Sequence, residues 1–385
     1  MIDPVGDAVG RIRSWGEARD WKGYDPYDAL NSPLAGPLSL VTPLGRRLLT
    51  QTVKLAPLNL RPAPGIRPSW NPKAVALVAS AYARLGAAGD SAARDRAARW
   101  LDWLGAHNRA GSGGMAWGYN FDVQTRVFRY QAHTPNTIAT SFAAQAFMDS
   151  WELEGDAQRE AVVRGVVGFL VENMRVDRAG RSYFTYLAGE DELVHNANLL
   201  ACAVLVRAGR LADDLTLIEP ALEPIATSLA AQRTDGSWPY ADAPGHQWVD
   251  NFHTGYVLDS LSECARAMPE AGVAVERGLD YWQRELFLAD GTPKYFPDRT
   301  LPVDAHCYAT AIDTWLAVTD RRPEALGRAE RQAALLVERM LDRRGYVHFQ
   351  QRRLWRSRVP YVRWSTAPSF RALAGLLLAR RRGHV

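Results

Sequence analysis

The chain has 385 residues, of which 47% are apolar and 23% charged, with a formal net charge of +4. That composition supplies a sizeable core and excludes a disordered or fibrous chain. A small positive surplus spread over scattered arginines also excludes a nucleic-acid surface, which needs a basic stripe interleaved with aromatics.

Three cysteines, Cys202, Cys264 and Cys307, are an odd number without CxxC spacing, and each falls in an apolar helix pattern. They are expected as buried free thiols, with no zinc site. The opening Met1-Ile-Asp-Pro-Val-Gly6 has no basic run followed by an apolar one. No signal peptide is therefore expected, and the default compartment is the cytoplasm. No apolar run reaches the ~18–20 residues of a membrane span.

Residues 1–70 differ from the rest. They hold Trp15, Trp21, Tyr24, Tyr27, Asp28 and Asn31, then a short apolar helix candidate over 44–55, then Asn59-Leu-Arg-Pro62. Prolines at 57, 62, 64 and 68 forbid a continuous helix there. Disordered segments are poor in aromatics, so an N-terminal arm folded onto the body is expected, with Tyr27, Asp28 and Arg61 reaching the centre. The body is assigned to 71–385.

From Asn71 onward, apolar residues recur at three- and four-residue spacing. Helix pairs are predicted over 72–85 and 91–104, 137–151 and 156–174, 199–208 and 216–232, 256–267 and 274–287, and 308–318 and 323–341, with a last helix over 367–380. Between pairs run long loops rich in aromatic and hydrogen-bonding residues, such as Gly113-Gly-Met-Ala-Trp-Gly-Tyr119. The richest runs from Gly236-Ser-Trp-Pro-Tyr240 to Asp250-Asn-Phe-His-Thr-Gly-Tyr256. The residues at or before the first helix of each unit are Asn71, His133, His195, His253, His306 and Arg363, at intervals of 62, 62, 58, 53 and 57. A soft period of roughly 60 suits two helices and a long loop per unit. The first helix of each pair is poor in charge, as for a helix buried on all sides, and the second carries Arg and Glu. The expected fold is all-α: an (α/α)6-type toroid of about six hairpins, with the loops lining one mouth. An open solenoid is the rival, but its repeats are shorter and its loops terse.

The phrase Gln232-…-Asp235-Gly-Ser-Trp238 is similar to the QW-type turn of squalene and oxidosqualene cyclases, and toroid pectate lyases use much the same turn. A fuller resemblance is to a group of bacterial proteins found with surface-polysaccharide genes. It is carried by Tyr24-Asp-Pro-Tyr-Asp28, Asn59-Leu-Arg-Pro62, His195-Asn-Ala-Asn198, Asp250-Asn-Phe-His-Thr-Gly-Tyr256, Pro293-Lys-Tyr295 and Asp304-Ala-His306. More distantly the chain resembles glucuronyl C5-epimerases, whose barrel acts on polymeric uronic acid. The resemblance implies an α/α toroid and an anionic saccharide substrate. If that substrate is lipid-linked, it implies peripheral membrane association as well. The chain departs from the cyclases in lacking a DxDD acid, and Asp213-Asp214 is explained as a helix cap.

In a toroid the junctions converge. They contribute His133, Asn136, His195, Asn196, Asn198, Asp250, Asn251, His253, Tyr256, Asp304, His306, Tyr308, Arg363 and Trp364, with Tyr27, Arg61, Trp238, Tyr240, Trp248 and Tyr295 from the loops and arm. Helix N-termini pointing inward favour an anionic ligand. Proton abstraction beside a carboxylate, giving epimerisation or elimination, would use His253 with Tyr256 and His306 with Tyr308 as base and acid. His195 and Asn196 would bind the carboxylate, with Arg363 or Arg61 as clamp. Glycoside hydrolysis would instead need two carboxyls, for which Asp250 and Asp304 are available. A terpenoid cyclase and a non-catalytic glycan-binding toroid are the other readings. No metal or cofactor is implied by any of these residues.

Overall fold

The computed structural model describes residues 3–111, 114–125 and 127–383; Met1, Ile2 and Gly113 lie outside the described residues. Helix α1 (Pro4–Glu17) opens on Asp3, whose Oδ1 accepts the Val5 amide at 3.1 Å, with proline at the first helical position. Two helices of the arm follow, α2 (Ala35–Ser39) and α3 (Pro43–Leu55). Then come the pairs α4 (Pro72–Ala87) and α5 (Ser91–Ala106), α6 (Thr137–Glu154) and α7 (Ala157–Asn173), α8 (His195–Ala212) and α9 (Glu219–Ala230), α10 (Asn251–Cys264) and α11 (Pro269–Leu286), and α12 (Ala305–Ala317) and α13 (Ala325–Met340). The last helix is α14 (Ala367–Arg382).

Helices α4, α6, α8, α10, α12 and α14 each pack on the next, and α14 packs back on α4, which closes an inner ring. Every residue from 72 to 83 of α4 is buried, as for a helix covered on all sides. The outer ring is α5, α7, α9, α11 and α13, and α1 completes it by packing on α13 and α14. The fold is thus an α/α toroid. Its sixth outer helix comes from the N-terminal segment that the sequence reading treated as arm. Val5, Ala8, Val9, Ile12 and Trp15 are buried at helical spacing, so the signal was present. Short antiparallel strand pairs sit in the loops, pairing Val123–Gln124 with Arg129–Tyr130, Arg175–Arg178 with Arg181–Phe184, and Val303–Asp304 with Gln350–Gln351.

One turn recurs and locks neighbouring units. Gly236 (φ 97°) follows α9, and a Cβ there would lie 2.4 Å from the carbonyl oxygen of Arg277 in α11. Gly345 (φ 98°) follows α13 and sits equally tightly on α1, 2.3 Å from the Arg11 carbonyl oxygen. Both positions need a left-handed backbone and no side chain. Trp238 then turns inward and donates its indole N–H to the Ser228 carbonyl at 2.8 Å. Gly345→Ala should lower the free energy of unfolding by roughly 1–3 kcal/mol, read by chemical denaturation. A variant as stable as the parent would show that the α1–α13 closure is loose.

At the end opposite the long loops, ion pairs tie the inner helices together. Arg84 of α4 meets Asp313 of α12 at 2.8 Å and Asp149 of α6 at 3.4 Å. Arg207 of α8 meets Asp149 at 2.7 Å, and Arg371 of α14 meets Asp313 at 2.7 Å. Burial would raise the Asp149 pKa, but Arg207 and Arg84 hold it below its ordinary value. The three cysteines are buried free thiols, as expected.

Candidate active site

The inner helices begin earlier than the apolar pattern suggested. Helices α8, α10 and α12 start at His195, Asn251 and Ala305, not at 199, 256 and 308. For α10 and α12 the reason is capping: the carboxylates of Asp250 and Asp304 accept the backbone N–H groups of His253 (3.0 Å) and His306 (2.9 Å). His253 and His306 therefore lie in the first turns, facing inward, rather than in the loops.

Of these two histidines, His253 is the accessible one. Its Nδ1 lies 2.6 Å from Asp250 Oδ2, which also accepts the Trp248 indole N–H at 3.1 Å. A carboxylate can only accept, so Nδ1 carries the proton and Nε2 presents a lone pair. The His253 side chain keeps 24% of its surface exposed, and Nε2 has no protein hydrogen-bond partner among the described residues. Tyr240 lies 4.7 Å from its ring and stacks on Trp248 at 4.5 Å. Tyr240, Trp248, Trp238, Asn196 and His253 enclose a gap of about 10 Å³, room for one water. Asn196 Oδ1 is a buried acceptor without a protein partner among the described residues.

The other half of the centre joins two expected residues, Tyr256 and His306, in a pairing that was not foreseen, and adds Lys73. His306 is buried, and its Nδ1 donates to the Trp364 carbonyl at 2.7 Å, so its Nε2 accepts the Tyr256 hydroxyl at 2.6 Å. Burial, with Lys73 and Arg363 nearby, holds the His306 pKa well below its ordinary value, so the ring stays neutral. Lys73 of α4 sits with Nζ 4.1 Å over the Phe142 ring and 5.3 Å over Tyr256, with no ion pair among the described residues. Burial and Arg363 lower its pKa. A lone lysine two residues after the Asn71 cap, in an otherwise apolar stretch, is the signal that could have found it. Tyr119 and Tyr186, with hydroxyls 3.5 Å apart, add to this wall, and burial raises both pKa values.

Several expected partners are engaged within the protein. Tyr256 pairs with His306, while Tyr308 turns outward to Arg339 and Thr292, because residues two apart on a helix do not share a face. Arg61 is fully buried, donating to Asp28 Oδ1 (2.7 Å) and the Asp25 carbonyl (2.7 Å). Arg363 grips the Asp25 carboxylate with Nε and Nη2 over the Tyr119 ring. Neither guanidinium is open to clamp a sugar carboxylate. His195 is enclosed, with Nδ1 3.0 Å from Ser228 and Nε2 3.1 Å from Asp242. Asn198 bonds the Phe184 amide, the Pro224 carbonyl and Ser228; Asn251 bonds the Leu286 carbonyl; and Asn136 caps α6. These residues hold the junctions together. Tyr295 packs 5.8 Å from Phe252, and Trp364 stacks on His306 at 5.0 Å with Tyr27 5.9 Å away.

His133 lies apart from this centre, at a mouth cleft of about 460 Å³ with Trp70, Trp103, His107, Arg109 and Asn120. That is an ordinary size for a small-ligand site.

Asp304 is fully enclosed. It accepts Gln350 Nε2 at 2.7 Å and the Trp364 indole N–H at 3.2 Å, and burial raises its pKa to about 6. Because the folded value lies above the unfolded one, its contribution is present below pH 3.8 and lost as pH rises through about 6. Relative to Asp304→Asn, which does not titrate, the parent should lose roughly 3 kcal/mol of stability between about pH 3 and 7 and little above. Urea unfolding of both proteins across that window checks this, and a constant difference would contradict it.

No protein-family model and no curated protein matches this sequence. Solved structures match its fold. An α-mannanase of Bacteroides thetaiotaomicron superposes with a TM-score of 0.64 at 13% identity, covering 81% of this chain and 87% of that one. A sugar epimerase from a ruminal bacterium gives 0.64 at 12%, covering 82% and 90%. An unsaturated glucuronyl hydrolase specific for heparin gives 0.63 at 11%, covering 99% and 97%. The α/α-toroid fold of this chain is therefore shared with these carbohydrate-active proteins.

Proposed function

We propose that this protein is a saccharide-processing enzyme that moves a proton at a carbon beside a carbonyl or carboxylate, with epimerisation as its reaction. The observation that carries this reading is the Asp250–His253 pair, whose oriented ring leaves Nε2 without a protein partner among the described residues. Tyr256, one turn further along α10, bonds the neutral His306, and Lys73 lies over the Tyr256 ring. Asp250 fixes the tautomer and stabilises the imidazolium formed when Nε2 takes the proton. Lys73 is the cation for the developing oxyanion, and its lowered pKa suits it to return a proton. The toroid neighbours include a sugar epimerase and cellobiose 2-epimerases, which supports the reading by analogy of fold.

Hydrolysis is less well served. Asp250 is committed to His253 and Trp248, and Asp304 is sealed beneath Trp364. With Arg61 and Arg363 engaged internally, Lys73 is the cation left at the centre for an acidic sugar. A panel of neutral reducing disaccharides and uronic-acid oligosaccharides tests the proposal. The expected product has unchanged length and altered stereochemistry. New reducing ends would indicate hydrolysis, and an unsaturated ultraviolet-absorbing product elimination. Lys73→Met should reduce turnover by about 10²–10³-fold, measured as initial rate; a rate within a few-fold of the parent would remove Lys73 from the chemistry.

A further inference from the structure

Nine of the fourteen exposed large apolar side chains among the described residues lie between Leu34 and Leu60. Leu40 is 79% exposed and Val41 69%, at the turn joining α2 to α3, where both adopt a left-handed backbone (φ 49° and 57°). Helix α3 has two apolar sides. One buries Val53 against Ala29 and Ile66, and the other presents Leu44, Leu48 and Leu55 to solvent. Soluble proteins seldom leave so much contiguous aliphatic surface bare without a purpose.

The surroundings of this ridge are positive. The sequence has no acidic residue from 29 to 89, nor from 343 to 385. The second acid-free stretch contributes the turn Arg352-Arg-Leu-Trp-Arg356 beyond the short strand Gln350–Gln351, with Leu354 90% exposed. That strand pairs with Val303–Asp304 just before α12, so the turn stands at the same mouth of the toroid as α3. Lys54 of α3 reaches Tyr27 at 2.8 Å, and Tyr27 lies against Trp364, which places the ridge directly beside the central site. Arg46, Arg47 and Arg67 on one side, and Arg352, Arg353 and Arg356 on the other, form no ion pair among the described residues. Most arginines around the outer ring, by contrast, do.

We infer that this leucine ridge with its arginine rim docks on an anionic lipid bilayer and turns the mouth of the toroid toward the membrane. The charge pattern selects that partner. Aliphatic side chains inserted at headgroup depth and unpaired cations around them are the two attractions an interfacial segment uses. A second copy of the chain would set arginines against arginines across a twofold axis. A protein partner would more often meet Trp and Tyr anchors than bare leucines. No described helix is long and apolar enough to cross a membrane, so the contact would be peripheral. The inference does not depend on the reaction proposed above, because binding is read without turnover.

Flotation of the full chain with vesicles tests it, using phosphatidylcholine alone and phosphatidylcholine mixed with phosphatidylglycerol. The expected result is co-flotation with the anionic vesicles, weakening as salt is raised, and much less with the neutral ones. The double variant Leu44→Glu/Leu48→Glu changes only exposed side chains and should weaken binding by about tenfold or more. Leu215→Glu, at the other end of the toroid, should leave binding unchanged. Arg47→Glu should weaken anionic binding without touching the apolar face. Circular dichroism and the unfolding midpoint confirm that each variant is folded. Absence of flotation with either vesicle, or equal flotation by the folded double variant, would overturn the inference. So would a vesicle-free dimer that the double variant dissolves, which would assign the ridge to a second copy.

Discussion

His253→Ala is expected to lower turnover by about 10⁴-fold while leaving the unfolding midpoint close to that of the parent. The side chain is partly exposed, and its ring makes one strong hydrogen bond, to Asp250, so its loss costs little packing. Asp250→Asn should be nearly as damaging to turnover. An asparagine can present its N–H₂ to the ring and invert the tautomer, leaving Nε2 protonated and unable to act as a base. The Asn251–Leu286 hydrogen bond and the cap on the His253 amide can survive that exchange, so the fold should persist. Steady-state rates and circular dichroism on both variants check the pair. If Asp250→Asn abolishes activity while His253→Ala spares it, the carboxylate is the acting group and proton abstraction by histidine is wrong.

The largest expected effect on stability is at Asp25. Its carboxylate accepts two N–H groups of Arg363 and the Tyr27 amide (2.9 Å), and its carbonyl accepts Arg61, so it joins the arm to the start of α14. Asp25→Ala would leave the Arg363 guanidinium buried over Tyr119 without a counter-charge, at a cost of roughly 3–5 kcal/mol. Replacing both partners, as Asp25→Leu with Arg363→Met, should recover much of that loss, because the unpaired charge is then gone. Denaturant unfolding of the single and double variants decides it. Were Arg363 instead a clamp for a sugar carboxylate, Asp25→Ala would free it, with tighter binding of acidic sugars and little change in stability.

The ring of helices was legible because its signals are local. Apolar spacing, the poverty of charge in the first helix of each pair, and the Asp-Gly turns at 235 and 290 each follow from a few neighbouring residues. Helix α1 carried the same spacing, yet its distance from the other units hid its membership, since the ring closes only in three dimensions. The site was partly legible for a related reason. The repeat of Asp250 and His253 in Asp304 and His306 marked the junctions where the inner helices begin, to within a few residues. It could not say that one carboxylate orients an accessible histidine while the other is sealed beneath Trp364. Arg61 and Arg363 looked like clamps because a sequence shows a charge without its partner; Asp28 and Asp25 already occupy them. Lys73 was passed over for the opposite reason, as a lone cation whose importance comes from what surrounds it.

The central claim is that His253 removes a proton from carbon. Incubating saccharides from the panel in deuterated water, with the parent and with His253→Ala, tests it by mass spectrometry. The account predicts one deuterium gained at carbon without loss of chain length for the parent, and none for the variant. Turnover without deuterium at carbon, or equal exchange by His253→Ala, would contradict it.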